Sequence, residues 1–296
     1  MPEKNLTIGI AVPVYNNWHL AQRNVQNCLL WDGDRISQIV LVDDCSPEAN
    51  PFVFPENVRI LRNTENLGYT RTANRALQAL DTDLIVLLDS DAHPVRPFAD
   101  DLCRYFSENQ NLGLLGLCTL DEAGLDSGNY GYEPQAWELV AGQRLSGTLA
   151  FLKNKKYRIP YSCAVVYRKK CLDEIGPYDE HFQFLDADVD HAMRIHRSRW
   201  LCEYAPDVAV FHVGGGSIGA DSRRVLMYYD SRWKLLKKHG KIAWPAMLRA
   251  LVLARIFLEL TLLRTAGRFL FKDPAVLADK VVGRKKLLAF CAKNYH

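Results

Sequence analysis

Over its first hundred residues the chain alternates short, almost continuously apolar runs with segments of helical periodicity. Runs rich in isoleucine and valine are typical of strands buried on both faces of a parallel sheet, and their alternation with helices indicates an α/β fold. The pattern predicts strands at residues 6–14, 36–42, 58–61 and 84–88 and helices at residues 20–30 and 70–80.

The pattern is less regular beyond residue 100. Residues 121–160 are rich in glycine, tyrosine and lysine, and we expect loop and edge structure there. We therefore expect a mixed, mainly parallel central sheet flanked by helices and followed by a C-terminal helical extension. The further elements predicted are strands at residues 112–119, 163–167 and 208–213, a helix within residues 182–200, and helices from residue 223 onward.

Polar side chains follow three of the predicted strands at their carboxyl ends. The clusters lie at residues 15–17 (YNN), 43–44 (DD) and 89–91 (DSD). Ligands of parallel α/β sheets bind in the crevice at this edge of the sheet. The sequence therefore predicts a binding site where the three clusters meet.

The third cluster carries two carboxylates separated by one residue, Asp89 and Asp91. In extended backbone such residues point to the same side. Carboxylate oxygens are preferred ligands of Mg²⁺ and Mn²⁺, which commonly bridge to phosphates. The pair is therefore a candidate site for a metal ion that holds a diphosphate. Its structural alternative is a helix N-cap, which aspartate also favours.

Composition and charge narrow the class of protein. The net charge of the 296-residue chain is only +3, which does not indicate a nucleic-acid partner. The eight cysteines include no CxxC pair, so we expect no structural zinc site and a reducing, cytoplasmic compartment. The first residues lack the pattern of a secretory signal peptide.

The C-terminal region joins a basic cluster (Lys234, Lys237, Lys238 and Lys241) to a strongly apolar segment at residues 242–263. At about 100° per residue, the charges within this segment fall on about half of a helix circumference, which suits a helix lying in a membrane interface better than one crossing a bilayer. We therefore expect peripheral contact with the inner face of the cell membrane. A packing or oligomer interface is the alternative, and the oligomeric state stays open. The interrupting charges are Arg249, Arg255, Glu259 and Arg264.

Six segments of the chain carry recognisable motifs. They are residues 10–17 (IAVPVYNN), 41–46 (LVDDCS), 63–69 (NTENLGY) with 73–76 (ANRA), 89–91 (DSD), 184–190 (FLDADVD) and 210–217 (VFHVGGGS). In this order they resemble the motifs of family 2 glycosyltransferases with the GT-A fold. Any single motif is weakly diagnostic, but the ordered set covers nearly the whole chain. Residues 228–233 and 238–240 are also similar to the tails of rhamnosyltransferase-like members.

The resemblance implies an inverting transfer of a sugar from a nucleotide diphosphate donor, UDP- or dTDP-linked, to a hydroxyl of a glycan or polyprenyl-linked glycan. It implies Mn²⁺ or Mg²⁺ as the cofactor. It also implies a nucleotide-sugar-binding half at residues 1–100 and an acceptor-binding half at residues 101–222, ahead of the helical region at residues 223–296.

The resemblance assigns roles to individual residues. Asp91 is the expected metal ligand, supported by Asp89 and His212. Asp188 is the expected general base, which removes the proton of the acceptor hydroxyl. The expected nucleotide- and donor-binding residues are Pro13, Tyr15, Asn17, Asp43, Gly68, Arg71, Asp89 and Ser90.

Two positions depart from the family pattern. Ala187 stands where the family usually has glutamate, and Asp186 is available to supply the missing carboxylate. Cys45 replaces a common glycine. Asp186, Asp188 and Asp190 also have a structural alternative, which is to cap the following helix.

Two other functions compete with glycosyl transfer. A nucleotidyltransferase also uses an α/β sheet and a carboxylate-bound metal, but it usually needs a glycine-rich loop with basic residues early in the chain, and residues 11–18 offer none. A non-catalytic sugar-nucleotide-binding subunit is the second alternative. The retained carboxylates Asp89, Asp91 and Asp188 argue against it.

Overall fold

The computed structural model describes residues 6–153, 155–212 and 222–295. The chain forms two compact units. Unit 1 comprises Met1–Glu133 and Lys155–Gly214, and unit 2 comprises Pro134–Asn154 and Gly215–His296.

The strands all belong to unit 1. They are β1 (Ile8–Val14), β2 (Ile36–Asp43), β3 (Val58–Arg62), β4 (Leu84–Leu88), β5 (Ala92–Pro94), β6 (Leu112–Leu120), β7 (Tyr130–Tyr132), β8 (Arg158–Pro160), β9 (Ala164–Arg168) and β10 (Leu201–His212).

The helices are divided between the units. Unit 1 contains α1, α2, α3, α5 and α6, and unit 2 contains the others together with a 3₁₀ turn at Ala150–Leu152. Their bounds are α1 (Trp18–Asp32), α2 (Tyr69–Gln78), α3 (Ala99–Glu108), α4 (Ala136–Thr148), α5 (Lys169–Ile175), α6 (Ala187–His196), α7 (Ser222–Lys238), α8 (Pro245–Thr265), α9 (Gly267–Leu270) and α10 (Pro274–Asn294).

An eight-stranded sheet in the order β3-β2-β1-β4-β9-β6-β10-β5 forms the centre of unit 1. Strands β1 to β4, β6 and β10 run parallel, whereas β9 and β5 are antiparallel to their neighbours. Strands β1 and β4 are buried along their whole length, as expected for strands covered by helices on both faces. The predicted mixed, mainly parallel sheet with flanking helices is confirmed.

Two predictions along the chain are wrong in part. Residues 121–160 are not only loop and edge structure, because they contain α4, whose start is capped by a hydrogen bond from the Gln135 backbone to the Glu138 carboxylate at 3.0 Å. Gly142 has φ of 77° inside this helix and interrupts the periodicity that would have indicated it. Strand β10 begins at Leu201 rather than at residue 208, because an irregularity between Ala205 and Ala209 breaks its pattern.

Four apolar side chains of α8 pack inside unit 2 at a spacing of four residues, which places them along one stripe of the helix. Helix α8 contacts α4, α9 and α10, and α10 also contacts α7. The ring of Tyr295 stacks on Trp233, with centroids 3.9 Å apart, and ties the C-terminal end to α7. The packed side chains of α8 are Leu248, Val252, Ile256 and Leu260.

Within the described residues, no helix is both long enough and apolar enough to cross a membrane.

Candidate metal and nucleotide site

Asp89, Asp91 and His212 meet at one edge of the unit 1 sheet. Asp89 follows β4, and Asp91 lies in the turn that leads into β5. Strand β5 pairs with the end of β10 so that Ala92 lies opposite His212. The three residues offer ligand atoms that all lie within 4.8 Å of one another. This pairing brings together residues that are far apart in sequence.

The electrostatics of this cluster suit a cation. His212 Nε2 lies 3.5 Å from Asp91 Oδ1 and 4.0 Å from Asp89 Oδ2. Burial, with the Asp91 charge, raises the pKa of Asp89 to about 6. The hydrogen bond to Asp91 raises the pKa of His212. Asp89 Oδ1 is buried and has no hydrogen-bond partner among the described residues. A divalent cation would neutralise two carboxylates and satisfy this oxygen, so the donor set fits a metal ion.

The turn that carries the carboxylates is held from two sides. The Asn24 side-chain amide on α1 donates to the carbonyls of Asp89, at 3.1 Å, and of Ala92. The Asp89 backbone N–H donates to the Cys163 carbonyl at 2.9 Å. The Tyr69 hydroxyl at the start of α2 donates to the Ser162 hydroxyl at 3.1 Å, next to Cys163. These contacts hold the backbone of the turn that carries both aspartates.

Replacement of Asn24 by leucine is expected to weaken Mn²⁺ binding about 10–100-fold, the usual effect of removing a residue that orients metal ligands. Leucine fills nearly the same volume but removes the amide that donates to both carbonyls of the turn. Mn²⁺ titration of the folded variant measures the effect, and Gln26→Leu, on the exposed side of the same helix, is the control. Wild-type Mn²⁺ affinity in Asn24→Leu would contradict this role.

Asp188 is linked by hydrogen bonds to Asp89 of the candidate metal site. The link passes through two consecutive residues, Ser162 and Cys163. Its Oδ2 accepts from the Ser162 backbone N–H at 3.2 Å, and its Oδ1 accepts from the Val189 N–H at 2.8 Å. Ser162 precedes Cys163, whose carbonyl holds Asp89. The segment before β9 therefore places Asp188 and Asp89 on the same edge of the sheet.

The environment of Asp188 favours a group that takes up protons near neutral pH. Burial, with the nearby Asp186 charge, raises the pKa of Asp188 to about 6. Its side chain is partly exposed, whereas Asp190 is fully buried and pairs with Arg194 at 3.0 Å. Asp186 is the N-cap residue of α6, with φ of 65°. The Asp190 carboxylate is thus held in an ion pair with Arg194. The Asp188 carboxylate, at the start of α6, is the accessible one.

Asp43, at the end of β2, is buried and hydrogen-bonded. Its Oδ1 accepts from the Ser46 N–H at 2.9 Å, and its Oδ2 forms an ion pair with Arg62 at 2.5 Å. The Ser46 hydroxyl in turn accepts from the Asn16 N–H at 2.8 Å, which links the ends of β1 and β2. The carboxylate is therefore held in a fixed position at this edge of the sheet.

Asp44 shapes the segment before α2. It accepts hydrogen bonds from the backbone N–H groups of Leu67, at 2.8 Å, and Gly68, at 2.9 Å, and from the Asn63 side chain at 2.8 Å. Gly68 has φ of 82°, a conformation that side chains disfavour. Asp44 therefore holds the backbone just before α2 in a single conformation.

The remaining predicted donor residues lie around these strand ends. Pro13 is buried, Tyr15 is 46% exposed, and Asn17 is exposed at the start of α1. Ser90 lies with Asp91 in the turn after β4. Arg71 is half-exposed and pairs with Glu180 at 3.1 Å.

Sequence reasoning missed several residues of this region. Asn24, Ser162 and Cys163 have no local motif, because their importance arises from contacts with distant segments. Tyr69 does lie inside one of the matching segments, directly after Gly68, and could have been found there. The glycine run at residues 214–217 lies outside the described residues.

The family known as Glycosyl transferase family 2 matches residues 9–176, which is more than half of the chain. The chain belongs to this family. The chain is 26% identical over 209 residues to the Pre-mycofactocin glycosyltransferase of Mycobacterium tuberculosis. The match covers 69% of this chain and 42% of that protein. It therefore spans less than half the length of that relative.

A second relative from the same organism is the N-acetylglucosaminyl-diphospho-decaprenol L-rhamnosyltransferase. It is 23% identical over 248 residues, which cover 73% of this chain and 80% of the relative. The predicted resemblance to family 2 glycosyltransferases is confirmed.

Two solved structures share the fold of this family 2 chain. Mannosyltransferase PcManGT from Pyrobaculum calidifontis, in complex with GDP-Man and Mn²⁺, has a TM-score of 0.61 at 15% identity and covers 99% of this chain and 88% of its own. S. aureus TarS 1-349, in complex with UDP, has a TM-score of 0.52 at 14% identity and covers 85% of this chain and 65% of its own. The fold is GT-A.

Proposed function

We propose that the protein is an inverting, metal-dependent glycosyltransferase that moves a sugar from a UDP- or dTDP-linked donor to a hydroxyl of a glycan or lipid-linked glycan. The observation that carries the proposal is the cluster of Asp89, Asp91 and His212 at the carboxyl ends of the parallel strands. Membership of glycosyl transferase family 2 supports the same reaction class.

Asp91, His212 and Asp89 would hold Mn²⁺ or Mg²⁺. The orphaned Asp89 Oδ1 and the approach of His212 to both carboxylates support this assignment. When bound, the ion supplies electrostatic stabilisation of the leaving diphosphate. The Asn24 side chain and the Cys163 carbonyl would keep the turn that carries both carboxylates in place.

Asp188 is proposed as the general base. Its partly exposed carboxylate removes the proton of the acceptor hydroxyl as the oxygen attacks the anomeric carbon and the nucleoside diphosphate leaves. One direct displacement of this kind inverts the configuration. A positioned base of this type commonly contributes about 10²–10⁴ to the rate.

The nucleotide is proposed to bind along the ends of β1 and β2 and at the start of α2. Asp43, fixed by Arg62 and Ser46, would accept from the N3–H of uracil or thymine. Pro13, Tyr15 and Asn17 would line the same region, with Gly68, Arg71 and Ser90 nearer the phosphates. On this proposal residues 1–100 bind the donor and residues 101–222 bind the acceptor.

The acceptor is proposed to be a glycan, free or linked to a polyprenyl lipid. This follows the relative N-acetylglucosaminyl-diphospho-decaprenol L-rhamnosyltransferase, whose name specifies a lipid-linked acceptor. A lipid-linked acceptor would place the protein at the inner face of the membrane as a peripheral enzyme.

Nucleoside diphosphate release from a panel of UDP-, dTDP- and GDP-sugars, with and without a chelator, tests the proposal. We expect release from a UDP or dTDP donor that a chelator abolishes and added Mn²⁺ restores. Release that is unaffected by chelation would contradict the metal role. A nucleotidyltransferase would instead release pyrophosphate from a nucleoside triphosphate, and a binding subunit would bind a donor without turnover.

A further inference from the structure

Helix α8 directs most of its charged side chains towards its own unit. The Arg249 guanidinium donates to the Ala292 carbonyl on α10. Arg255 donates to the Tyr229 hydroxyl on α7 and forms an ion pair with Glu259. The sequence pattern placed these charges on about half of the helix circumference, and the structure shows that they are bonded to neighbouring helices. Glu259 also pairs with Arg284 on α10.

The remaining surface of α8 exposes large apolar side chains. Phe257, Leu258 and Leu262 are 59%, 61% and 58% exposed, and Trp244, just before the helix, is 70% exposed. The surface continues onto α9, where Phe269 is 82% exposed. A soluble monomer rarely exposes so many large apolar residues within one short region, and such patches mark interaction sites. Other exposed apolar residues of this region are Met247, Leu251, Leu270, Val276 and Val282.

The same region is strongly basic. From residue 242 to the C-terminus there are ten lysines and arginines against three acidic residues, a net charge of +7, whereas the whole chain carries +3. The remainder of the chain is therefore net negative, and the basic charge is concentrated beside the apolar surface. The exposed cations are Arg264, Arg268, Lys272, Lys280, Lys285, Lys286 and Lys293.

We propose that the exposed apolar side chains of residues 244–270 insert into the interface of an anionic lipid bilayer, with the surrounding lysines and arginines on the headgroups. A helix that combines large apolar side chains with flanking cations binds such interfaces, and tryptophan favours the headgroup level. Basic residues near an anionic surface add an electrostatic attraction to this binding. This inference rests on the proposed function in one respect, since a lipid-linked acceptor gives the contact its purpose.

A second copy of the chain fits this surface less well. A symmetric dimer places the same patch on both subunits, so the cations of one copy would face those of the other. Like charges brought together in this way destabilise an interface. An anionic lipid surface supplies the complementary charge.

Flotation with vesicles tests the proposal directly. The full chain is mixed with vesicles of phosphatidylcholine alone or of equal parts phosphatidylcholine and phosphatidylglycerol. We expect flotation with the anionic vesicles that decreases as salt is added. The triple variant Phe257→Gln, Leu258→Gln, Leu262→Gln is expected to bind at least about tenfold more weakly, because each lost apolar contact contributes to the partition.

The control carries equivalent substitutions on unit 1, Leu30→Gln with Val53→Gln and Leu125→Gln, three side chains that are 71%, 97% and 65% exposed. It should float as the wild type does. Failure of the wild type to float, or equal flotation of the α8 triple variant, would overturn the proposal. So would a wild-type dimer that the triple variant abolishes while flotation is unchanged.

The two proposals fail separately. Asp188→Asn should float normally although transfer is lost, and the α8 triple variant should still release nucleoside diphosphate when a soluble acceptor is supplied. Thermal melting of each variant confirms that it is folded.

Discussion

Asp188→Asn is expected to lower sugar transfer about 10²–10⁴-fold, the usual contribution of a positioned general base. The amide cannot take the proton of the attacking hydroxyl. Donor binding should be retained, because Asp188 contacts Ser162 and Val189 and not the residues proposed to hold the nucleotide. Product formation under saturating donor, with donor affinity measured by calorimetry, separates the two effects.

Asp186→Asn is the matched control. It lies two residues away at the N-cap of α6, where asparagine tolerates the positive φ of 65°. Near-normal activity in Asp186→Asn beside the loss in Asp188→Asn would assign the base to Asp188. The reverse result would show that Asp186 supplies the carboxylate that the family usually has at position 187. Near-normal turnover in Asp188→Asn would remove Asp188 from the mechanism.

The pH profile supplies an independent readout of the same assignment. The pKa of Asp188 is raised to about 6 by burial, so the carboxylate is protonated below that pH and the basic form is lost as the pH falls. We expect kcat/KM of the wild type to fall about tenfold per pH unit below about pH 6. The pKa of Asp89 is also raised to about 6 by burial, so the profiles are recorded with saturating Mn²⁺, which keeps that ligand ionised. Under these conditions the residual activity of Asp188→Asn should lack the acid limb.

Asp91→Asn is expected to abolish the response to divalent metal and to reduce nucleoside diphosphate release on the order of 10³-fold. Stabilisation of the leaving diphosphate by a bound cation accounts for several kcal/mol of transition-state energy. The substitution retains the shape of the side chain but removes the charge that lies 3.5 Å from His212 Nε2. Calorimetric titration with Mn²⁺, in the presence of UDP, measures the loss of binding.

The comparison variant for this experiment is Asp81→Asn, an exposed aspartate before β4. It removes the same charge from the protein without touching the cluster. Wild-type Mn²⁺ affinity in the Asp91→Asn variant, together with turnover within a few-fold of normal, would show that the metal is held elsewhere or is not required.

The sequence predicted the fold of the first hundred residues well because that part of the chain is built from local signals. The run at residues 84–88 is apolar throughout and ends at Asp89, and both the strand and its carboxyl end are found at those positions. Each strand that is buried on both faces must be apolar along its length, so the pattern reports the strand directly. The helix α4 gave no such signal, since Gly142 interrupts it.

The candidate site itself was only partly visible in the sequence. The two aspartates of the turn are neighbours in the chain, and their spacing alone indicated a shared direction. Their approach to His212 depends on the pairing of β5 with β10. The link between Asp89 and Asp188 through Ser162 and Cys163 depends on the insertion of β9 between β4 and β6. Non-local strand pairing of this kind leaves no periodic trace in the sequence.

The amino-acid sequence by itself determined the α/β class, the strand ends that carry the carboxylates, and the family resemblance, because each follows from residues close together in the chain. Tertiary structure alone decided which distant side chains meet and which face of a helix is turned inward. Helix α8 shows the difference most clearly. Its four charges predicted a helix that is polar on about half of its circumference, and only the structure shows that Arg249, Arg255 and Glu259 are bonded to neighbouring helices while Phe257 and Leu258 are exposed. Periodicity places side chains on the faces of a helix, and only the partners of that helix determine which face they cover.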